Sequence, residues 1–103
     1  MAEPVRILLI QSWVISGTAI RAMLRDAGFE PRLFRVDHVP ALAAALSRGR
    51  HDVILFDTAS TGLTRGTLDA LMREHGVALP VIELGAPDRL IEDIRGALAS
   101  IRN

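Results

Sequence analysis

The chain contains no cysteine and no lysine, and its aromatic content is limited to three Phe and one Trp. The absence of cysteine excludes disulfides, thiolate catalysis and cysteine-ligated metal. All twelve basic residues are arginine, so chemistry that needs a lysine amine has no source within the chain. With 50% of residues hydrophobic and so few rings, the core must be aliphatic. Charge of either sign is not in excess: twelve basic residues balance twelve acidic ones. Nothing therefore advertises a nucleic acid or an anionic membrane as partner. Long hydrophobic runs are missing too. The one near the start, "VRILLI", is too short for a span and lacks the basic flank of a signal peptide. A cytoplasmic protein is the expectation.

Several catalytic patterns are also absent. His38, His51 and His75 are far apart, without metal-ligand spacing. "TGLTRG" has the glycines of a turn but matches neither a Walker A loop nor a dinucleotide fingerprint. There is no G-x-S-x-G elbow to supply a hydrolase nucleophile.

Four apolar strand-like runs are present, at 5–10, 32–36, 53–56 and 80–84. Between them lie helical patterns. Ala19, Ile20, Met23, Leu24 and Ala27 share one helix face, with Ser16 as N-cap and Gly28 as stop. "PALAAALSRG" gives a second helix closed by Gly49. "TLDALMREHG" gives a third, turning Leu68, Leu71 and Met72 inward and closing at Gly76. "DRLIEDIRGALASIRN" gives a fourth, capped by Asp88 and burying Leu90, Ile91, Ile94, Leu98 and Ile101. The order is βαβαβαβα. The first, third and fourth strands are apolar without alternation, the pattern of parallel strands covered on both faces. The expectation is an α/β fold, a three-layer doubly wound parallel sheet, one domain over 1–103. In such sheets ligands bind beyond the carboxyl ends of the strands, at the switch point. That mouth would gather Gln11, Ser12 and Trp13, then Asp57 and Thr58, then Gly85 and Ala86. His51 and Asp52 fall at the opposite end of the third strand.

These residues resemble the receiver domain of bacterial response regulators, whose fold is flavodoxin-like. "RILLIQSW" resembles its first strand and "AMLRDAGFEP" its first helix and turn. "VDHVPALAAALSRGRHDVILFD" resembles the run from its second strand to its phosphoacceptor, and "LPVIELGA" its fourth strand. The resemblance covers roughly 5–86 and implies that Asp57 stands at the phosphoacceptor position. In the family an acidic pair on the first strand holds Mg²⁺, a Thr or Ser binds a phosphoryl oxygen, and a Lys pairs with the phosphate.

The departures lie in those partners. The acidic pair falls on Gln11 and Ser12, which offer a hard cation no charge. The hydroxyl position falls on Gly85, and no lysine exists. The loop "TASTGLTRG" lacks the family's proline, and Gly66 comes one residue late. Trp13 puts a bulky ring at a mouth that is usually polar, either as a partner contact or as a lid. Family members have five strands and five helices, whereas the 19 residues after the fourth strand suffice for one helix. The implied module has four strands and four helices, with its fourth strand left as an exposed apolar edge.

The implied function is a degenerate receiver-like signalling module. It would act through protein–protein interaction, without phosphorylation, enzymatic activity or cofactor. The partner would be a kinase, a cyclase or a transcription component, or a second copy through strand 80–84. One alternative is a phospho-accepting receiver using Asp57 with Mg²⁺. Another is a small nucleotide- or metabolite-binding domain using the same mouth.

Overall fold

The computed structural model describes residues 3–10, 14–57, 63–83 and 89–102. Four parallel strands form one sheet in the order β2-β1-β3-β4. They are β1 (Glu3–Ile10), β2 (Phe29–Val36), β3 (Val53–Phe56) and β4 (Val81–Glu83). Strand β3 is apolar at every position because every side chain is at 0% exposure: Val53 and Leu55 enter one layer, Ile54 and Phe56 the other. Strand β1 splits likewise, Val5, Ile7 and Leu9 to one side, Leu8 and Ile10 to the other. A large aliphatic side chain buried this completely contributes roughly 1.5–3 kcal/mol.

Helices α1 (Val14–Asp26) and α4 (Leu90–Arg102) cover the first layer through Ile20, Leu24, Leu90, Ile94 and Leu98. Helices α2 (Val39–Arg48) and α3 (Arg65–Glu74) cover the second through Leu42, Leu46, Leu68 and Met72. The chain thus winds from β1 outward to β2, returns to β3, and winds out the other way to β4. The doubly wound, three-layer architecture expected from the sequence is the one found.

Several details depart from the sequence reading. Strand β2 begins at Phe29, three residues before the expected start, and includes Pro31. It is an edge strand, where a residue without an N–H is tolerated on the open side. Helix α1 starts at Val14, which puts Ser16 inside its first turn and not at the cap. Ala19 is exposed, because the buried stripe of α1 is centred on Ile20 and Leu24, with Met23 and Ala27 at its margin. Ile91 and Leu71 are only half-buried, flanking their clusters. Strand β4 is only half-buried, since it closes the sheet, with Ile82 packed against one layer and Val81 against the other. Helix α2 is capped by His38, whose Nδ1 accepts from the Ala41 N–H at 3.2 Å. The expected cap Asp88 lies outside the described residues. Gly28 and Gly76 follow α1 and α3 with φ of +92° and +65°, conformations that favour glycine and let the helix turn back into the sheet.

Candidate functional site at the strand ends

The doubly wound order puts the switch point between β1 and β3, where the chain leaves in opposite directions. Asp57 is the first residue beyond β3. Its N–H donates to the Ile10 carbonyl at 3.0 Å, so the ladder runs to the last residue of β1 and holds Asp57 at the mouth. Asp57 is half-buried. The chain continues from Ile10 into Gln11, Ser12 and Trp13, and from Asp57 into Thr58. Those four residues, together with Gly85 and Ala86, lie outside the described residues. Of the seven positions singled out from the sequence, the structure places Asp57, and it places it at the switch point.

The donor chemistry does not suit Mg²⁺. After Ile10 the next carboxylate along the chain is Asp26, the last residue of α1; after Asp57 it is Asp69, within α3. Among the described residues no three His, Asp or Glu side chains converge closely enough to hold a metal ion. Mg²⁺ surrenders its hydration shell reluctantly and needs carboxylates to compensate. Asp57 and Glu83 stand at the ends of β3 and β4, Glu83 is paired with Arg65, and β1 is followed in sequence by an amide and a hydroxyl, which does not offer that.

The opposite end of the strands is built differently. Asp52 Oδ2 accepts the Arg6 N–H at 2.8 Å, while the Asp52 N–H donates to the Arg6 carbonyl at 2.7 Å. The two bonds fasten the start of β3 to β1, which gives Asp52 a structural role. His51 packs beside it against the end of α2. A Cβ at Gly49 would collide with the His51 ring and approach the Ala45 carbonyl to 2.8 Å. Gly49 has an ordinary φ of −88°, so it is glycine for room and not for handedness. His51 Nε2 is buried without a well-formed hydrogen bond. Burial pushes the imidazole pKa below its ordinary 6.5; the Ala45 carbonyl and Asp52 oppose this, and Arg6 adds to it.

A further feature escaped the sequence reading. A groove of about 700 Å³ runs between the open edge of β4 and α4. Ile82, Gly96 and Ala97 line it, and Glu83, Glu92 and Asp93 add three carboxylates. Arg65 also lines it, with its guanidinium shared between Asp69 at 3.0 Å and Glu83 at 3.6 Å. The signal was weak because Glu83 and Glu92 belong to different elements, and a glycine inside a helix carries no periodicity.

A parallel doubly wound sheet with an aspartate held at its switch point is the arrangement of a receiver-like domain. The chain is similar to the receiver domain of the sensor histidine kinase PA1611 from Pseudomonas aeruginosa PAO1. That crystal structure has a magnesium ion coordinated in its active-site cleft. The two share 29% sequence identity and a TM-score of 0.61, over 94% of this chain and 78% of that one. No family model matches the chain. No curated protein matches it either. The receiver-like fold and the place of this chain among two-component signalling modules, both expected from the sequence, are supported by that likeness.

Proposed function

We propose that this chain is a degenerate receiver-like module that signals through protein–protein contact and is not phosphorylated. The observation that carries the reading is an aspartate held at the switch point in a chain whose sequence supplies neither an acidic pair after the first strand nor a lysine. Asp57 is tied to the end of β1 through Ile10, yet the residues that follow Ile10 are neutral and the chain has no lysine. Phosphoryl transfer is catalysed by positioning and by cations that neutralise developing charge. These partners act as a unit, so removing several together leaves little of the reaction. On this reading Asp57 is a strand-end carboxylate kept for shape. The module has no enzymatic activity, needs no cofactor and works in the cytoplasm on a protein partner. Neither nucleic acid nor membrane is part of its function; no helix among the described residues is long and apolar enough to cross a bilayer.

The test is intact mass after incubation with a small-molecule phosphodonor and Mg²⁺, with Asp57→Asn as control. The expected result is the same mass for both proteins. An adduct that forms on the parent and is lost in Asp57→Asn would overturn the reading and make Asp57 a working switch. A thermal-shift screen against nucleotides addresses the remaining alternative: ligand-dependent stabilisation would point to a small-molecule site at the mouth.

A further inference from the structure

We infer that the groove between β4 and α4 is a docking site for a short extended segment of a partner protein, apolar and basic in alternation, which adds to the sheet as a strand. Parallel strands alternate the side to which each residue turns its N–H and C=O. The Pro80 carbonyl accepts the Ile54 N–H at 2.9 Å, so Pro80 and Ile82 face β3. Val81 and Glu83 therefore turn their backbone groups to the open edge, and among the described residues no strand pairs there. An edge of this kind is a template for strand addition.

The groove specifies what kind of strand. Ile82 packs toward α4 and Val81 toward α3, so the half-buried edge offers apolar contact on both faces. On the α4 face, Gly96 and Ala97 hold the groove open: a Cβ at Gly96 would meet nothing within 4 Å. A basic side chain of the added strand fits over them, its stem on Ala97 and its head toward Glu92 and Asp93, while the alternate apolar residues turn to the Val81 face. Three carboxylates, Glu83, Glu92 and Asp93, face one guanidinium, Arg65, already shared between two acids. Glu92 and Asp93 also complement the dipole of α4, being in its first turn, but Glu83 on the strand has no such role. The net field favours arginine or lysine on the incoming segment.

The same charges argue against a second copy. Two-fold pairing of β4 with β4 would bring the three carboxylates of one copy against the three of the other. The inferred segment therefore carries the opposite charge, which this face of a second copy does not offer.

The experiment uses the intact chain and a fluorescently labelled Arg-Val-Arg-Val-Arg-Val peptide, with Glu-Val-Glu-Val-Glu-Val as comparison, followed by anisotropy and amide exchange. Gly96→Leu fills the groove while replacing an exposed helical glycine with a better helix former, so the variant folds at least as well as the parent. The arginine peptide is expected to bind one to one and to slow exchange at the Val81 and Glu83 amides; Gly96→Leu should weaken it by about tenfold or more. Glu92→Gln with Asp93→Asn should weaken it too, and the glutamate peptide should not bind. Asp57→Asn should change nothing, which separates this proposal from the reading of the mouth. Three results would overturn it: no binding; binding that Gly96→Leu leaves untouched, which would mean diffuse surface attraction; or a parent protein that self-associates in sedimentation and is dispersed by Gly96→Leu, which would make the occupant a second copy.

Discussion

At the scale of single residues, two aspartates at the ends of one strand show how differently one residue type is used. Asp57 and Asp52 bracket the same strand, but Asp52 spends its carboxylate on the Arg6 N–H, whereas Asp57 stands at the mouth. Asp52→Asn keeps an acceptor oxygen at that place, and Asp52→Ala leaves the Arg6 N–H without its partner. The alanine variant should lose about 1–3 kcal/mol and the asparagine variant less, read from denaturant midpoints. Next to it, His51 is held neutral by burial, with a pKa below 6.5. The unfolded chain therefore takes up a proton at higher pH than the folded one. Stability is then full above 6.5 and falls as pH drops through that value toward the folded pKa. Thermal midpoints measured from pH 8 to 5 should decline on the acid side, and His51→Gln should flatten the decline. A parent and variant with parallel profiles would assign it to other groups. The sequence placed His51 and Asp52 away from the mouth but could not foresee the crowding of His51 on Gly49, since that contact needs the end of α2 folded back on the start of β3.

At the scale of elements, helix ends and edge strands carry the differences between expectation and structure. Helix α3 is started by Thr64, whose Oγ1 accepts from the Thr67 N–H at 3.1 Å. Thr64→Ala should cost about 1 kcal/mol, and Thr64→Ser should restore most of it, because the hydroxyl and not the methyl does the capping. For a domain of this size that loss lowers the melting midpoint by about 4–8 °C. Gly96→Ala should act in the other direction, stabilising by up to about 1 kcal/mol, since Gly96 is exposed in α4 with nothing near its absent Cβ. The buried strands were legible because β1 and β3 are covered on both faces and so read as unbroken apolar runs. The start of β2 was not, because Pro31 reads as a strand breaker until the strand is known to be an edge. The cap of α2 was not either, since histidine is outside the residues that usually cap helices and His38 does so through its ring nitrogen. Of the candidate mouth, the position of Asp57 was legible from the apolar run that ends there. The groove beside β4 was not, because it is made by two elements meeting and not by any pattern within one.

At the scale of the whole molecule, two aliphatic layers share one sheet, and neither exists without the other. Leu8 and Leu9 are neighbours in β1, yet Leu8 enters the layer under α2 and α3 and Leu9 the layer under α1 and α4, with exposures of 0% and 1%. If the layers were separate folding units, Leu8→Ala and Leu9→Ala would each melt one half and leave the other. They are not separate, because both line opposite faces of the same central strands, and exposing one face strips β1 and β3 of the packing that keeps their ladder dry. Each variant should lose about 2–5 kcal/mol, the range for a leucine truncated in a close-packed core. Both should unfold in a single transition with a denaturant dependence like the parent's, by circular dichroism of helix and strand alike. Amide exchange should rank the strands by their place in the sheet, slowest in β1 and β3, faster in β2 and fastest in β4, whose three residues are half-exposed or exposed. A parent protein in which β4 is as protected as β3 would mean that the edge is already covered in the free chain. The sheet would then be complete without a partner, and the half-open fourth strand would lose its claim to be the surface through which this module is read.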